Sequence, residues 1–112
     1  MTNAETLLTS LQNPEHRFAE TLAFIEQHYQ FMPTAFRNGS VSNGADQNQG
    51  SCRILALASM LKLSDEQALL CFGEFYRDVL ATPDANDHQN IRQLMRTGLA
   101  EVSFETSPLT PR

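Results

Sequence analysis

Two cysteines, a single lysine and the absence of any long apolar run set the first limits on this 112-residue chain. Cys52 and Cys71 are too few for the disulfide framework of a small secreted domain, so a reducing cytoplasm is the expected compartment. No apolar stretch approaches the ~20 residues that span a bilayer, and no membrane partner is expected. The first residues, MTNAETLLTSLQN, hold no basic side chain and no extended apolar segment, which argues against a secretory signal peptide. Thirteen acidic against eight basic side chains leave a formal net charge of −5. Phosphate contacts dominate nucleic-acid affinity, and with no basic run to make them a nucleic-acid partner is not expected. His16, His28 and His88 are scattered, with no spacing that would converge them on one ion, so no metal and no other cofactor is expected.

What the chain does contain suits one domain over residues 1–112. Apolar residues make up 41% and charged residues 19%, the composition of a folded chain rather than a disordered one. Periodicity predicts the helices. The first covers about Ala4 to Leu11, with Leu7, Leu8 and Leu11 on one side. A second starts at an Asn13 cap and Pro14 and runs to about Tyr29, with Phe18, Leu22, Ile25 and Tyr29 on its core face and His16, Glu20 and Gln27 opposite. Cys52 to Leu63 is apolar nearly all round and reads as the central helix. Ser64, with Gln67 three residues on, forms a capping box for a helix whose stripe is Leu69, Phe72, Tyr76, Val79 and Leu80. Gly73 within it marks close approach of a neighbouring backbone. A last helix runs from about Asp87 to Thr97, with Ile91, Leu94 and Met95 inward, Arg92 and Arg96 outward, and Gly98 ending it.

Val102 and Phe104 alternate with polar neighbours as in a strand, and Asn38-Gly39 suits a tight hairpin turn. The expected fold is therefore mainly α: a bundle of four to five helices with a long ordered loop and a small antiparallel sheet. Residues 1–3 and 106–112 are expected to fray.

The loop itself, Phe31 to Arg53, carries the candidate chemistry. Its amides Asn38, Asn43, Gln47, Asn48 and Gln49, with Arg53 and Arg77, have two readings. They can tie the loop's own backbone together, or line a pocket in which an arginine holds a carboxylate or phosphate. Phe31 and Phe36 are expected to anchor the loop in the core. Gly50-Ser51-Cys52 places a thiol near a helix start, where the dipole and unpaired N–H groups favour the thiolate. His88 is then the candidate base, with Asp87 or Asn90 to orient its ring. The simpler reading has Ser51 capping the helix, Cys52 packed as a small apolar residue and His88 bonded to a loop carbonyl. Cys71, between Leu70 and Phe72, reads as a buried inert thiol.

The segments PTAFRNG (Pro33 to Gly39), NQGSCR (Asn48 to Arg53), LSDEQALLCFGEFYRDVL (Leu63 to Leu80) and DHQNIRQLMRTG (Asp87 to Gly98) resemble the HopJ type III effector family, in the family's order. The resemblance implies a relative of proteins that pathogenic bacteria inject into plant cells. It implies a place in the bacterial cytoplasm or export through a type III system, and it brings no established activity with it. The functional expectation is a non-enzymatic binding or interaction module that engages a protein partner or a small acidic ligand through the 31–53 loop. The alternative is a cysteine-dependent hydrolase or transferase using Cys52 and His88.

Overall fold

The computed structural model describes residues 3–112, so the expected fraying of residues 1 and 2 lies outside the described residues. The described residues form six helices: α1 (Asn3–Leu11), α2 (Phe18–His28), α3 (Gln49–Met60), α4 (Asp65–Leu70), α5 (Glu74–Ala81) and α6 (Gln89–Thr97). Two small antiparallel sheets join them. β1 (Tyr29–Phe31) pairs with β5 (Leu109–Pro111), and β2 (Phe36–Asn38) lies between β3 (Val41–Asn43) and β4 (Val102–Phe104). A mainly helical fold with a small antiparallel sheet is what the sequence pattern predicts.

α3 is the central helix. Cys52 and the run Ile54 to Ala58 are all buried, as a helix apolar on every side requires. The capping box at Ser64 forms as expected: Gln67 N–H donates to Ser64 Oγ (3.1 Å), and Ser64 N–H donates to Gln67 Oε1 (2.9 Å). The helix it opens is not continuous. Gly73 sits at φ 59° and ψ −126°, which ends α4 and starts α5. A Cβ there would lie 2.7 Å from the Arg17 carbonyl carbon and 2.8 Å from Arg17 Cα. Both features follow from one cause, the backbone of residues 17–18 pressed against position 73, and they turn five expected helices into six.

That contact also moves the start of α2. Instead of beginning at Pro14, the chain turns, with Glu15 N–H donating to Asn13 Oδ1 (2.9 Å), and α2 begins at Phe18. Its N-cap, Arg17, makes no side-chain cap. The Phe18 N–H donates to Glu74 Oε1 (2.7 Å) at the start of α5, a cap supplied from 56 residues away. In the turn, His16 is 3% exposed rather than outward-facing.

Ser10 Oγ donates to His16 Nδ1 (2.7 Å), His16 Nε2 donates to Thr21 Oγ1 (2.7 Å), and Thr21 Oγ1 donates to the Cys71 carbonyl (2.8 Å). The one hydroxyl proton of Thr21 is committed to Cys71, which assigns the Nε2–H tautomer. Burial lowers the His16 pKa below 6.5; Glu20 opposes the shift and Arg77 adds to it. The unfolded chain therefore takes up this proton first. His16 contributes stability above pH 6.5 that is lost as pH falls toward its lowered folded value. Urea unfolding of the parent should show stability falling between pH 7 and 5, and His16→Gln should flatten that slope. Glu74, whose pKa the Phe18 N–H lowers from 4.5, loses its contribution only at more acid pH.

Four further expectations are corrected. The tail does not fray: Leu109 is 2% exposed, and β5 pairs residue for residue with β1. The hairpin register Asn38↔Val41 puts Gly39-Ser40 in the turn, one residue beyond the expected Asn38-Gly39. On α6, Ile91 and Leu94 are buried and Arg96 is exposed as expected, but Arg92 is 7% exposed and Met95 is 46% exposed, the reverse of the expectation for those two. Arg92 folds back onto the 82–87 connection, donating to the Asp87 carbonyl (2.6 Å) and to Asp87 Oδ1 (2.7 Å), so its guanidinium is buried but satisfied. Leu80, placed in the inward stripe, is likewise 53% exposed.

Candidate functional site

The starts of α3 and α6 open into one cleft of 510 Å³. Phe18, Phe72 and Phe75 form its apolar wall; Asn48, Gly50, Ser51 and the stretch Asn86 to Ile91 form the rest. The size is that of a small-molecule site. Gly50 is where the wall meets the helix: a Cβ there would lie 2.9 Å from the Phe18 ring.

The two helix starts are alike and unusual. Asn48 (φ 51°, ψ 40°) and His88 (φ 51°, ψ 49°) stand at the N-caps in left-handed conformation, and neither side chain caps its helix. An ordinary N-cap is extended and accepts from the second or third helical N–H. Among the described residues, the N–H groups of Gln49, Gly50, Ser51, Gln89 and Asn90 consequently have no protein acceptor. Both helix dipoles add positive potential at the same mouth, which favours an anionic group there.

A buried amide cluster fixes these two starts against each other. Asn38 Nδ2 donates to the Asn90 carbonyl (2.9 Å) and to Asn90 Oδ1 (3.2 Å). Asn43 Nδ2 donates to Asn90 Oδ1 (3.3 Å), Asn90 Nδ2 donates to Asn43 Oδ1 (3.1 Å), and Asn48 Nδ2 donates to the same oxygen (2.8 Å). Asn38, Asn43 and Asn90 are each at most 5% exposed, and Asn38 Oδ1 has no partner among the described residues. Gln49 clamps the loop, donating from Nε2 to the carbonyls of Thr34 (3.2 Å), Gly44 (3.1 Å) and Gln47 (2.8 Å). Gln47 Oε1 in turn accepts from Gly44 N–H (2.9 Å). The amides thus tie the 31–53 segment to itself and to α6.

The predicted residues are only partly brought together. Of the expected binding set, Asn48 lines the cleft while Asn38, Asn43 and Gln49 support it. Arg53 and Arg77 do neither: the Arg53 guanidinium stacks 4.1 Å above the Phe31 ring, and Arg77 donates to the His16 carbonyl (2.9 Å). Of the expected anchors, Phe36 is 4% exposed and Phe31 is half-buried.

Cys52 is not at the helix mouth. α3 starts three residues earlier than predicted, Ser51 lies within it instead of capping it, and the Cys52 N–H already donates to the Asn48 carbonyl (3.0 Å). Its thiol is 0% exposed, and burial pushes it up to about 11, opposed by Arg53 and a hydrogen bond from the Thr34 backbone. Burial likewise raises Cys71 to about 12. His88 does line the cleft, with its ring 5.4 Å from that of Phe75 and Nε2 3.8 Å from Asp87 Oδ2. The Asp87 carboxyl is held below its ordinary value by the hydrogen bond from Arg92, and Asn90 belongs to the amide cluster.

Sequence reading missed Phe18, Phe75, Asn86 and Gln89. Phe18 reads as an ordinary helix-face aromatic, and Phe75, which follows the break at Gly73, meets it with ring centroids 5.1 Å apart. Gln89 is the residue that a start of α6 at Asp87 hides.

The family model for the HopJ type III effector protein matches residues 4–109. The crystal structure titled as an unknown-function protein, VPA0580, superposes with a TM-score of 0.90 at 46% identity, covering 100% of this chain and 95% of that one. No curated protein matches the chain. Among the described residues no helix is long and apolar enough to cross a membrane. With nearly its whole length matched, the chain belongs to the HopJ type III effector family.

Proposed function

We propose that this chain is a non-enzymatic binding module whose ligand seat is the cleft between the starts of α3 and α6. The observation that carries this reading is the convergence of two uncapped helix starts and His88 on one aromatic-walled cleft. Such a seat suits a small acidic ligand, or an acidic side chain of a protein partner. The anion would take the free N–H groups, and an apolar body would lie against Phe18 and Phe75. The 31–53 segment contributes to this seat both lining, through Asn48, Gly50 and Ser51, and scaffold, through Asn38, Asn43 and Gln49. The module would work from the bacterial cytoplasm or after export through a type III system.

A carboxylate introduced at Ser51 separates fold from binding. Ser51→Asp adds a negative charge in the first turn of α3, which should hold or raise stability by about 0.3–1 kcal/mol. The same charge occupies the anion position. In the parent, phosphate should raise the Tm by mass action; in Ser51→Asp that rise should vanish. No response in the parent, or the same response in both, would remove the cleft as an anion seat.

The buried thiol supports the non-enzymatic reading, and its chemistry is directly measurable. Iodoacetamide should modify Cys52 and Cys71 slowly between pH 6 and 8, at rates that follow unfolding, because the thiolate is disfavoured at both. Fast modification of Cys52 at pH 6 that His88→Ala slows would instead favour a cysteine-dependent enzyme.

A further inference from the structure

A second groove, of 560 Å³, runs along α2 on a different set of residues from the cleft. We propose that it binds an elongated apolar monocarboxylate, with the carboxylate held by Arg53 and Arg112.

The basic residues of this acidic chain show what is unusual here. Arg17 pairs with Glu74 (3.3 Å) and Arg92 with Asp87 (2.7 Å), while Arg77 and Arg37 donate to backbone carbonyls. Arg53 is half-buried, yet makes no hydrogen bond or ion pair with any described residue. Its guanidinium carbon lies 4.1 Å from the centroid of the Phe31 ring, a cation–π contact that leaves the N–H donors without a described acceptor. A guanidinium whose N–H groups have no described acceptor can take a carboxylate through two parallel hydrogen bonds.

Arg112 is tethered at the same groove. Its Nε donates to the Glu26 carbonyl (2.7 Å) and its backbone N–H to the His28 carbonyl (3.0 Å), leaving both terminal guanidinium nitrogens without a described partner. Tethering both arginines beforehand reduces the side-chain entropy lost on binding. The side chains lining the groove carry two positive charges and one negative, that of Glu26.

The rest of the groove sets the shape of the body. Ala19 and Ala23 stand one turn apart on α2 beside Leu22, and Glu26 follows one turn further. Residues 19 to 26 span about 10 Å of helix. The two alanines leave the groove open along that length, and Leu22 and Ile25 make its floor aliphatic. This fits an unbranched chain of about eight carbons better than a compact ring.

The test is a ¹H–¹⁵N NMR titration of the full chain with octanoate, and with octanol and acetate as partial probes. Octanoate should shift the amides of residues 19–31 and of Arg53 saturably. Octanol should bind at least about ten-fold more weakly and acetate should shift nothing, since one lacks the charge and the other the body. Arg53→Met keeps a stem over Phe31 and should weaken octanoate by at least about ten-fold, its own spectrum reporting that the fold is intact. Ala23→Trp, which fills an exposed position in the groove, should block octanoate independently. Equal binding of octanol and octanoate would overturn the proposal. So would octanoate binding unchanged in both variants, no shift at all, or shifts confined to residues 48–51 and 86–91.

Discussion

Gly73→Ala is expected to lower stability by about 3–5 kcal/mol, the sum of an unfavourable backbone conformation and a forced backbone shift. At φ 59° an added side chain is strained whatever space it finds, and here it finds the backbone of Arg17 and Phe18. Rigid main chain has nowhere to go, because Phe18 N–H is also held by Glu74 Oε1. For a chain of this size the loss corresponds to a fall in Tm of about 12–20 °C. Thermal unfolding by circular dichroism measures it. Gly44→Ala is the control: its φ is not left-handed and the nearest neighbour of an added Cβ is the flexible Asp46 carboxylate at 3.1 Å, so stability should stay within about 1 kcal/mol. A change of similar size at both positions would mean that position 73 is not the pinned contact described above.

Phe36→Ala should be comparably damaging, at about 3–5 kcal/mol. Phe36 is 4% exposed, sits on the middle strand of the three-stranded sheet, and pairs across it with Phe104, ring centroids 6.1 Å apart. Removing the ring leaves a cavity at the point where β2, β3 and β4 are joined. Amide exchange in β3 and β4 should accelerate more than in α3. Phe31→Ala, at a half-buried ring that carries Arg53, should lose only about 1–2 kcal/mol. Denaturant melts of the two variants side by side would show whether the segment hangs from one anchor, as its burial indicates, or from two.

The parts of this fold legible in the sequence are those written locally. The all-apolar run through Ile54 to Ala58, the Ser64–Gln67 capping box and the turn propensity near Gly39 each depend on neighbours a few residues away. What was illegible depends on distant partners. Nothing near Phe18 announces that Glu74 will cap it, and nothing near His16 announces a buried pocket made by Ser10 and Thr21. Arg92 looks like a surface residue until the 82–87 connection folds under it. The candidate site follows the same division. The amide-rich loop was visible as composition, but whether its amides grip a ligand or each other is set by β2, β3 and α6 arriving together. Cys52 was misplaced by three residues of helix, enough to move a thiol from a mouth to a core.

The pairing of β1 with β5 and of β2 with β4 has a kinetic consequence. Tyr29 meets Pro111 and Phe36 meets Phe104, partners separated by most of the chain. High contact order of this kind places strand closure late. During synthesis the helical core must therefore hold its shape with Phe36 uncovered until residues 102–111 have left the ribosome. In that interval β2 is an open edge beside an uncovered Phe36, and it is then, rather than in the finished protein, that this chain is most exposed to self-association or to capture by a chaperone.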